Sequence, residues 1–110
     1  MMKIAMSPAA AGLLRALFVR TGLPRDTVLL TQYSSTEWHS LTFAGERHAI
    51  GLRVPGPDAK AIVERLLDGI EEAEFTISGQ IVADIAVQFQ PSADDDGAIS
   101  LGLEALTIAA

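Results

Sequence analysis

The stretch AEFTISGQIVADIAVQF, residues 73–89, decides the fold, because every odd position in it except Gly79 is apolar. Alternation with a period of two is typical of a β-strand that buries one face. One straight strand at about 3.3 Å per residue would span roughly 56 Å, whereas a domain of this length has a radius of gyration of about 13 Å. We therefore expect the chain either to bend at Gly79 or to extend into a neighbouring subunit.

The C-terminal segment continues this pattern after an acidic loop at residues 91–97. The alternation predicts a hairpin with Ile85 opposite Leu103, so that the apolar residues of both strands share one face. Leu106 and Ile108 then fall on the opposite parity. This change indicates either a bulge near residues 104–105 or a terminal segment that is buried on both faces.

An amphipathic helix is predicted at the other end of the chain, from Pro8 to Thr21. Ser7 is a suitable N-cap and Pro8 occupies the first helical position, where its missing N–H has no cost. Gly22 and Pro24 follow in the order that is typical of a helix end. Apolar residues recur at helical spacing on one face of this segment: Ala10, Leu13, Leu14, Leu17 and Phe18.

Three strands are predicted between residues 27 and 55. Residues 27–33 and 36–43 are rich in β-branched or apolar side chains, and Ser34–Ser35 offers turn chemistry between them. Gly45–Glu46 suits a two-residue type II′ turn before the third strand. This turn would place Phe43 opposite His48 on a mainly apolar face, and Trp38 opposite Arg53 on the other face.

A second helix is predicted after Pro55–Gly56–Pro57, with Asp58 in the first turn, where the helix dipole favours negative charge. Its apolar stripe runs from Ala59 to Ile70. The predicted fold is therefore a single α+β domain over residues 1–110, in the order α-β-β-β-α-β-β. We expect two helices on one face of a mostly antiparallel sheet.

Composition excludes some classes of protein. A net charge of −6 without a cluster of Lys or Arg is unfavourable for nucleic-acid binding. No apolar run approaches the ~20 residues that cross a bilayer, and Arg15 and Arg20 interrupt the stretch that follows Lys3. The absence of cysteine is compatible with a reducing compartment, and we expect a cytoplasmic protein. A mean hydropathy of +0.31 in so small a domain indicates self-association.

Metal and cofactor motifs are not recognisable. His39 and His48 are potential ligands, but the predicted hairpin places their rings about 13 Å apart. Residues 92–97 begin like a calcium loop, yet Ser92 and Leu103 stand where that motif needs Asp and Glu. Neither a P-loop nor a dinucleotide-binding glycine motif is present. We expect neither a metal nor a cofactor.

Two pairs of residues are candidates for function. The predicted register places Asp84 opposite Glu104, and close carboxylates can share a proton, so these two and His39 are candidate acid/base groups. The simpler alternatives are a register shifted by two residues or two solvated carboxylates. Trp38 facing Arg53 beside small residues is a candidate cation–π surface for a ligand or, preferably, a second subunit.

The sequence contains no catalytic signature, so whether the protein is an enzyme is undecided. We expect a non-catalytic accessory or interaction protein that acts as a homo-oligomer, through the sheet face around Trp38 or the edge of the long strand. The alternative is a small-molecule-binding protein or enzyme with a cleft between sheet and helices. Convergence of titratable side chains into one pocket would favour the alternative, whereas scattered ones would favour the interaction protein.

Overall fold

The computed structural model describes residues 6–23 and 27–110, with Phe89 described by its backbone alone. The predictions that involve Lys3 and Pro24 therefore lie outside the described residues. The elements follow one another as α1 (Pro8–Thr21), β1 (Leu29–His39), β2 (Ala44–Val54), α2 (Ala59–Leu67), β3 (Gln80–Ala93) and β4 (Ile99–Ala109). A short 3₁₀ turn at Ile70–Glu72 follows α2. The α+β class with two helices is confirmed, and within the described residues the sheet has four strands where five were predicted.

The four strands form one antiparallel sheet in the order β1-β2-β4-β3. β1–β2 and β3–β4 are hairpins, and α2 connects them so that β2 and β4 become the central pair. The helices cover one face of the sheet, which we call the inner face, and their buried residues pack on those of the two central strands. The opposite face, the outer face, has no helix over it in the described part of the chain. β1 and β3 are the two edges.

Helix α1 has the bounds that its capping residues predict. The Ala10 N–H donates to the Ser7 side-chain oxygen at 3.2 Å, and Gly22 ends the helix in the left-handed conformation, at φ +69°. Gly12 lets the segment before β3 pass close to the helix, because a Cβ at this position would lie 2.7 Å from Cγ2 of Ile77. The contact joins α1 to the chain that enters β3.

The predicted turn at Gly45–Glu46 is wrong. The chain reverses four residues earlier, where the Ser40 N–H donates to the Phe43 carbonyl at 2.9 Å and the Phe43 N–H donates to the Ser40 hydroxyl at 3.1 Å. Ser34–Ser35, the other predicted turn, lies inside β1. The first two predicted strands are therefore one strand, and Phe43 pairs with neither His48 nor any other strand residue of β2.

Within residues 73–89, the chain bends at Gly79, which was one of the two predicted alternatives. Gly79 has φ +76° in a turn that an Ile77–Gln80 bridge closes, and only the residues from Gln80 onward form β3. The Ala110 N–H donates to the Gly79 carbonyl at 3.0 Å, which ties this turn to the end of β4. Positive φ at this position suits glycine because it has no Cβ.

The predicted register of the last hairpin is wrong by two residues. Ile85 lies opposite Ala105, and Val87 lies opposite Leu103. β4 pairs with β2 without any irregularity, so the predicted bulge near residues 104–105 is absent from that pairing, and the irregularities lie in β3 instead. The other predicted alternative, a terminal segment buried on both faces, describes β4 better, because β4 is central, Ala105 and Thr107 are buried on its inner side, and Leu106 and Ile108 are half-buried on its outer side.

The two helices of the described residues have 14 and 9 residues. Neither helix in that part of the chain is long and apolar enough to cross a bilayer.

Candidate functional site: the outer face of the sheet

An apolar row crosses all four strands at one end of the outer face. Trp38 of β1 lies opposite Gly45 of β2, Gly45 lies opposite Ile108 of β4, and Ile108 lies opposite Ile81 of β3. Directly opposed residues project from the same side of a sheet. Glycine adds no side chain in this row, and a Cβ at this position would lie 2.0 Å from the Thr107 carbonyl oxygen.

The row belongs to a larger exposed apolar area. Leu106 projects from the same face of β4, and we call Trp38, Ile81, Leu106 and Ile108 the apolar band. The Ile81 side chain is 55% exposed, whereas the other three members are half-buried. Leu41 and Phe43, in the β1–β2 turn at the same end of the sheet, are 105% and 54% exposed. This end of the sheet therefore presents apolar side chains from three strands and a turn to solvent.

Charged residues border the apolar band on the same face. Arg47 of β2 and Asp84 of β3 lie on either side of Leu106, which is the member of the band on β4 in that row. Arg47 donates to Oε1 of Glu104 at 3.0 Å, and Gln88 lies 3.5 Å from the other oxygen of that carboxylate. An apolar centre with a polar border is the usual anatomy of a protein–protein contact surface.

The opposite end of the outer face is polar. Arg53 donates to Asp94 at 3.3 Å and to Asp96, and the Ser100 hydroxyl donates to Asp94 at 2.8 Å. Hydrogen bonding to Asp96 holds the pKa of Arg53 above its usual value. The Ala98 N–H and then Arg53 lower the pKa of Asp96. These ion pairs fasten the β3–β4 loop to the sheet.

The predicted Trp38–Arg53 pair is therefore wrong as a contact. Trp38 lies opposite Gly45, and Arg53 lies opposite Leu29, so the two side chains are separated by roughly 26 Å along β2. Trp38 belongs to the apolar band, and Arg53 is occupied by two carboxylates. Only the tryptophan is positioned to contribute to an apolar contact surface.

The three candidate acid/base groups are not brought together by the sheet. Asp84 lies opposite Leu106, while Glu104 lies opposite Ala86 and is paired with Arg47, so the predicted carboxylate pair is wrong. His39 is exposed at the end of β1, opposite Ala44. The grooves beside α1, of about 420 and 250 Å³, are lined by none of these three residues.

The second histidine is buried in a polar network that the sequence did not reveal. His48 projects from the inner face of β2, with Nε2 2.8 Å from the Thr107 hydroxyl and Nδ1 3.2 Å from the Tyr33 hydroxyl. A neutral imidazole has one donor and one acceptor, so one hydroxyl donates to the ring and the other accepts from it. Desolvation lowers the pKa of His48, and the nearby Glu46 carboxylate opposes this only in part.

The sequence did indicate the burial of His48, because His48 alternates with Ile50 and Leu52 on the buried parity of its strand. Its partners come from β1 and β4, which are far away in the sequence. His39 is exposed at the end of β1, whereas His48 is buried in the middle of β2. In the described part of the chain, no group of three or more His, Cys, Asp or Glu residues is placed to hold a metal ion.

Comparison with known proteins adds no relative. No family model matches the chain, and no curated protein matches it at a significant level.

Proposed function

We propose that this chain is a non-catalytic interaction protein that acts as a homo-oligomer, and that copies associate through the apolar band. The observation that carries the proposal is the row from Trp38 to Ile81, which runs across the whole sheet without a charged residue. Burial of one exposed isoleucine side chain contributes about 1.5–3 kcal/mol. A two-fold axis would bury each member of the band twice, and an apolar surface is chemically complementary to its own copy.

The distribution of charge supports a second copy as the partner. The chain carries a net charge of −6, and like charges opposing each other would resist association. Glu104 beside the band is neutralised by Arg47, and Asp94 and Asp96 are held by Arg53 at the other end of the face. These three carboxylates are therefore neutralised within each copy, and among the described residues Asp84, opposite Leu106, is the acidic side chain bordering the band that these ion pairs do not include.

The scattering of titratable groups supports an interaction protein over an enzyme. Asp84 and Glu104 project from the outer face of the sheet, whereas His39 lies on the inner parity at the end of β1. General acid/base catalysis needs such groups within hydrogen-bond reach of one substrate. We propose a cytoplasmic location, with which the lack of cysteine is compatible.

Sedimentation equilibrium of Ile81→Ser tests the proposal. Ile81 is half-exposed, so its replacement should leave the fold intact while it removes two isoleucines from each symmetric contact. Since 1.4 kcal/mol is tenfold, we expect the dimer Kd to rise by at least about tenfold. The matched control is Val19→Ser, because Val19 is 77% exposed on α1, away from the outer face.

Three results would overturn the proposal. The first is a wild-type protein that stays monomeric throughout a micromolar concentration series. The second is an Ile81→Ser variant that associates as tightly as the wild type. The third is a Val19→Ser variant that weakens association to the same extent, which would move the contact to the helical layer.

A further inference from the structure

The two edges of the sheet differ in how well they are protected against pairing with another strand. β3 has three irregularities in its register, contains Pro91 and exposes Asp84. Bulges, prolines and charges are the devices that keep edge strands from pairing with other chains. β3 therefore has a protected edge.

β1 lacks these devices over most of its length. Its register with β2 is regular from Gln32 to His39, and its irregularity lies before that segment, between Leu30 and Gln32. The strand has the sequence LLTQYSSTEWH, without proline and with Glu37 as its single acidic residue. Residues 34–37 and His39 are exposed.

The turn determines which β1 backbone groups face outward. The Ser40 N–H donates to the Phe43 carbonyl, so this pair is of the hydrogen-bonded type. Hydrogen-bonded and non-hydrogen-bonded pairs alternate along an antiparallel ladder. It follows that Tyr33, Ser35, Glu37 and His39 direct their N–H and C=O groups away from β2. Within the described part of the chain no strand pairs with this edge, so an incoming strand would meet a continuous row of donors and acceptors there.

We infer that β1 pairs with β1 of a second copy in antiparallel orientation, about a two-fold axis at Ser35 or Thr36, which joins the two sheets into one of eight strands. The inference rests on the proposed function in that the partner is another copy of this chain. An axis at Ser35 places Tyr33 opposite Glu37 of the partner subunit, and an axis at Thr36 places Ser35 opposite Glu37 of the partner subunit. In neither register does Glu37 of one copy oppose Glu37 of the other.

The edge contact is distinct from the contact through the apolar band. Edge pairing runs along the side of β1, whereas the band lies on the outer face, and antiparallel pairing places the two Trp38 ends far apart. An edge-paired dimer therefore leaves both bands accessible. Where the two two-fold axes intersect at right angles, a protein that uses both surfaces forms a dimer of dimers, which is a common closed symmetry.

Disulfide trapping tests the edge contact. The chain has no cysteine, so Ser35→Cys and Thr36→Cys each introduce a single thiol. Opposed residues have Cα atoms about 4.5–5.5 Å apart, which is within the range that a disulfide spans. Because the effective concentration in a bound pair is millimolar, we expect at least one variant to cross-link on the order of a hundredfold faster than a control at micromolar concentration. The control is Gln88→Cys, at an exposed position on β3.

Ser35→Pro provides the complementary test. Its N–H faces outward, so proline removes no hydrogen bond to β2 but blocks the incoming strand. We expect Ser35→Pro to abolish the cross-link of Thr36→Cys. Ser34→Pro is the matched comparison, since the Ser34 N–H faces β2 and its loss should lower stability. The Cys variants carry the test by themselves if Ser35→Pro does not fold.

The outcomes separate this inference from the proposed function. If the wild type is an oligomer that Ile81→Ser weakens, while neither Cys variant cross-links faster than Gln88→Cys, the edge contact is overturned and the proposed function stands. If the cross-link forms equally well in an Ile81→Ser background, the edge contact is supported independently of the band. A wild type that is monomeric at every concentration overturns both.

Discussion

The inner and outer faces of the sheet are built from the same strands, yet different interactions occupy them. On β4, Leu101, Leu103 and Ala105 are buried under the helices, whereas Glu104, Leu106 and Ile108 on the other side are only half-buried. The inner face has its partners within the chain, including a hydrogen-bonded histidine. The outer face has polar pairs at one end and an apolar band at the other. Substitutions on the inner face should therefore change folding, and those in the band should change association.

The largest expected effect comes from Leu103→Ala, compared with Leu106→Ala on the same strand. Leu103 is fully buried on the central strand, and such a truncation typically costs 2–5 kcal/mol through lost burial and a cavity. Leu106 is half-buried on the outer face, so we expect about 1 kcal/mol or less. Urea unfolding in an Ile81→Ser background, at a protein concentration where sedimentation shows that background to be monomeric, measures both without a contribution from association. Equal losses would contradict the distinction between the faces.

The buried network predicts a smaller and non-additive effect. His48→Phe keeps an aromatic ring at this position but leaves the buried Thr107 hydroxyl without its partner, which costs about 1–3 kcal/mol. Adding Thr107→Val removes the unpaired hydroxyl, so the double variant should recover part of that loss. A double-mutant cycle by urea unfolding measures the coupling. Additive losses would show that this hydrogen bond does not stabilise the inner face.

Acidic pH should lower the free energy of unfolding through His48. Burial lowers the pKa of His48 in the folded state, so the unfolded chain binds its proton at higher pH than the folded chain does. The stabilisation is complete above the unfolded value of about 6.5 and is lost as the pH falls through the folded value. We expect lower urea midpoints at pH 5 than at pH 7.5, with a smaller difference in His48→Phe. An unchanged difference in that variant would assign the acid effect to other groups.

The smallest expected effect comes from the polar part of the outer face. Arg47 and Glu104 form an ion pair whose side chains are 44% and 39% exposed, and such pairs contribute about 0–1 kcal/mol. Glu104→Gln should therefore change the free energy of unfolding by no more than about 0.5 kcal/mol. Thermal and urea unfolding at low and high salt check this. A loss comparable to that of Leu103→Ala would mean that the outer face also supports the fold.

The errors in strand pairing share a physical cause. Alternation has a period of two, so it determines which residues face the core but not how far one strand slides past the next by an even number of residues. His48 remains on the inner face in both the predicted and the observed hairpin, and so does Ile85 in the last one. The even shifts moved Arg53 away from Trp38 and Asp84 away from Glu104. Candidate sites that depended on register were therefore lost, although the faces were correct.

Local sequence was sufficient to predict those parts of the fold whose determining interactions lie close together in the chain. Ser7, Pro8 and Gly22 determined the bounds of α1, and Gly79 marked the bend before β3, because capping and positive φ involve only neighbouring residues. The α+β class followed from apolar periodicity. Tertiary structure decided the rest: the turn at residues 40–43, the central position of β4, the network around His48 and the row that unites Trp38 with Ile81. Each of these joins residues that are distant in sequence, and their energies depend on which strands become neighbours.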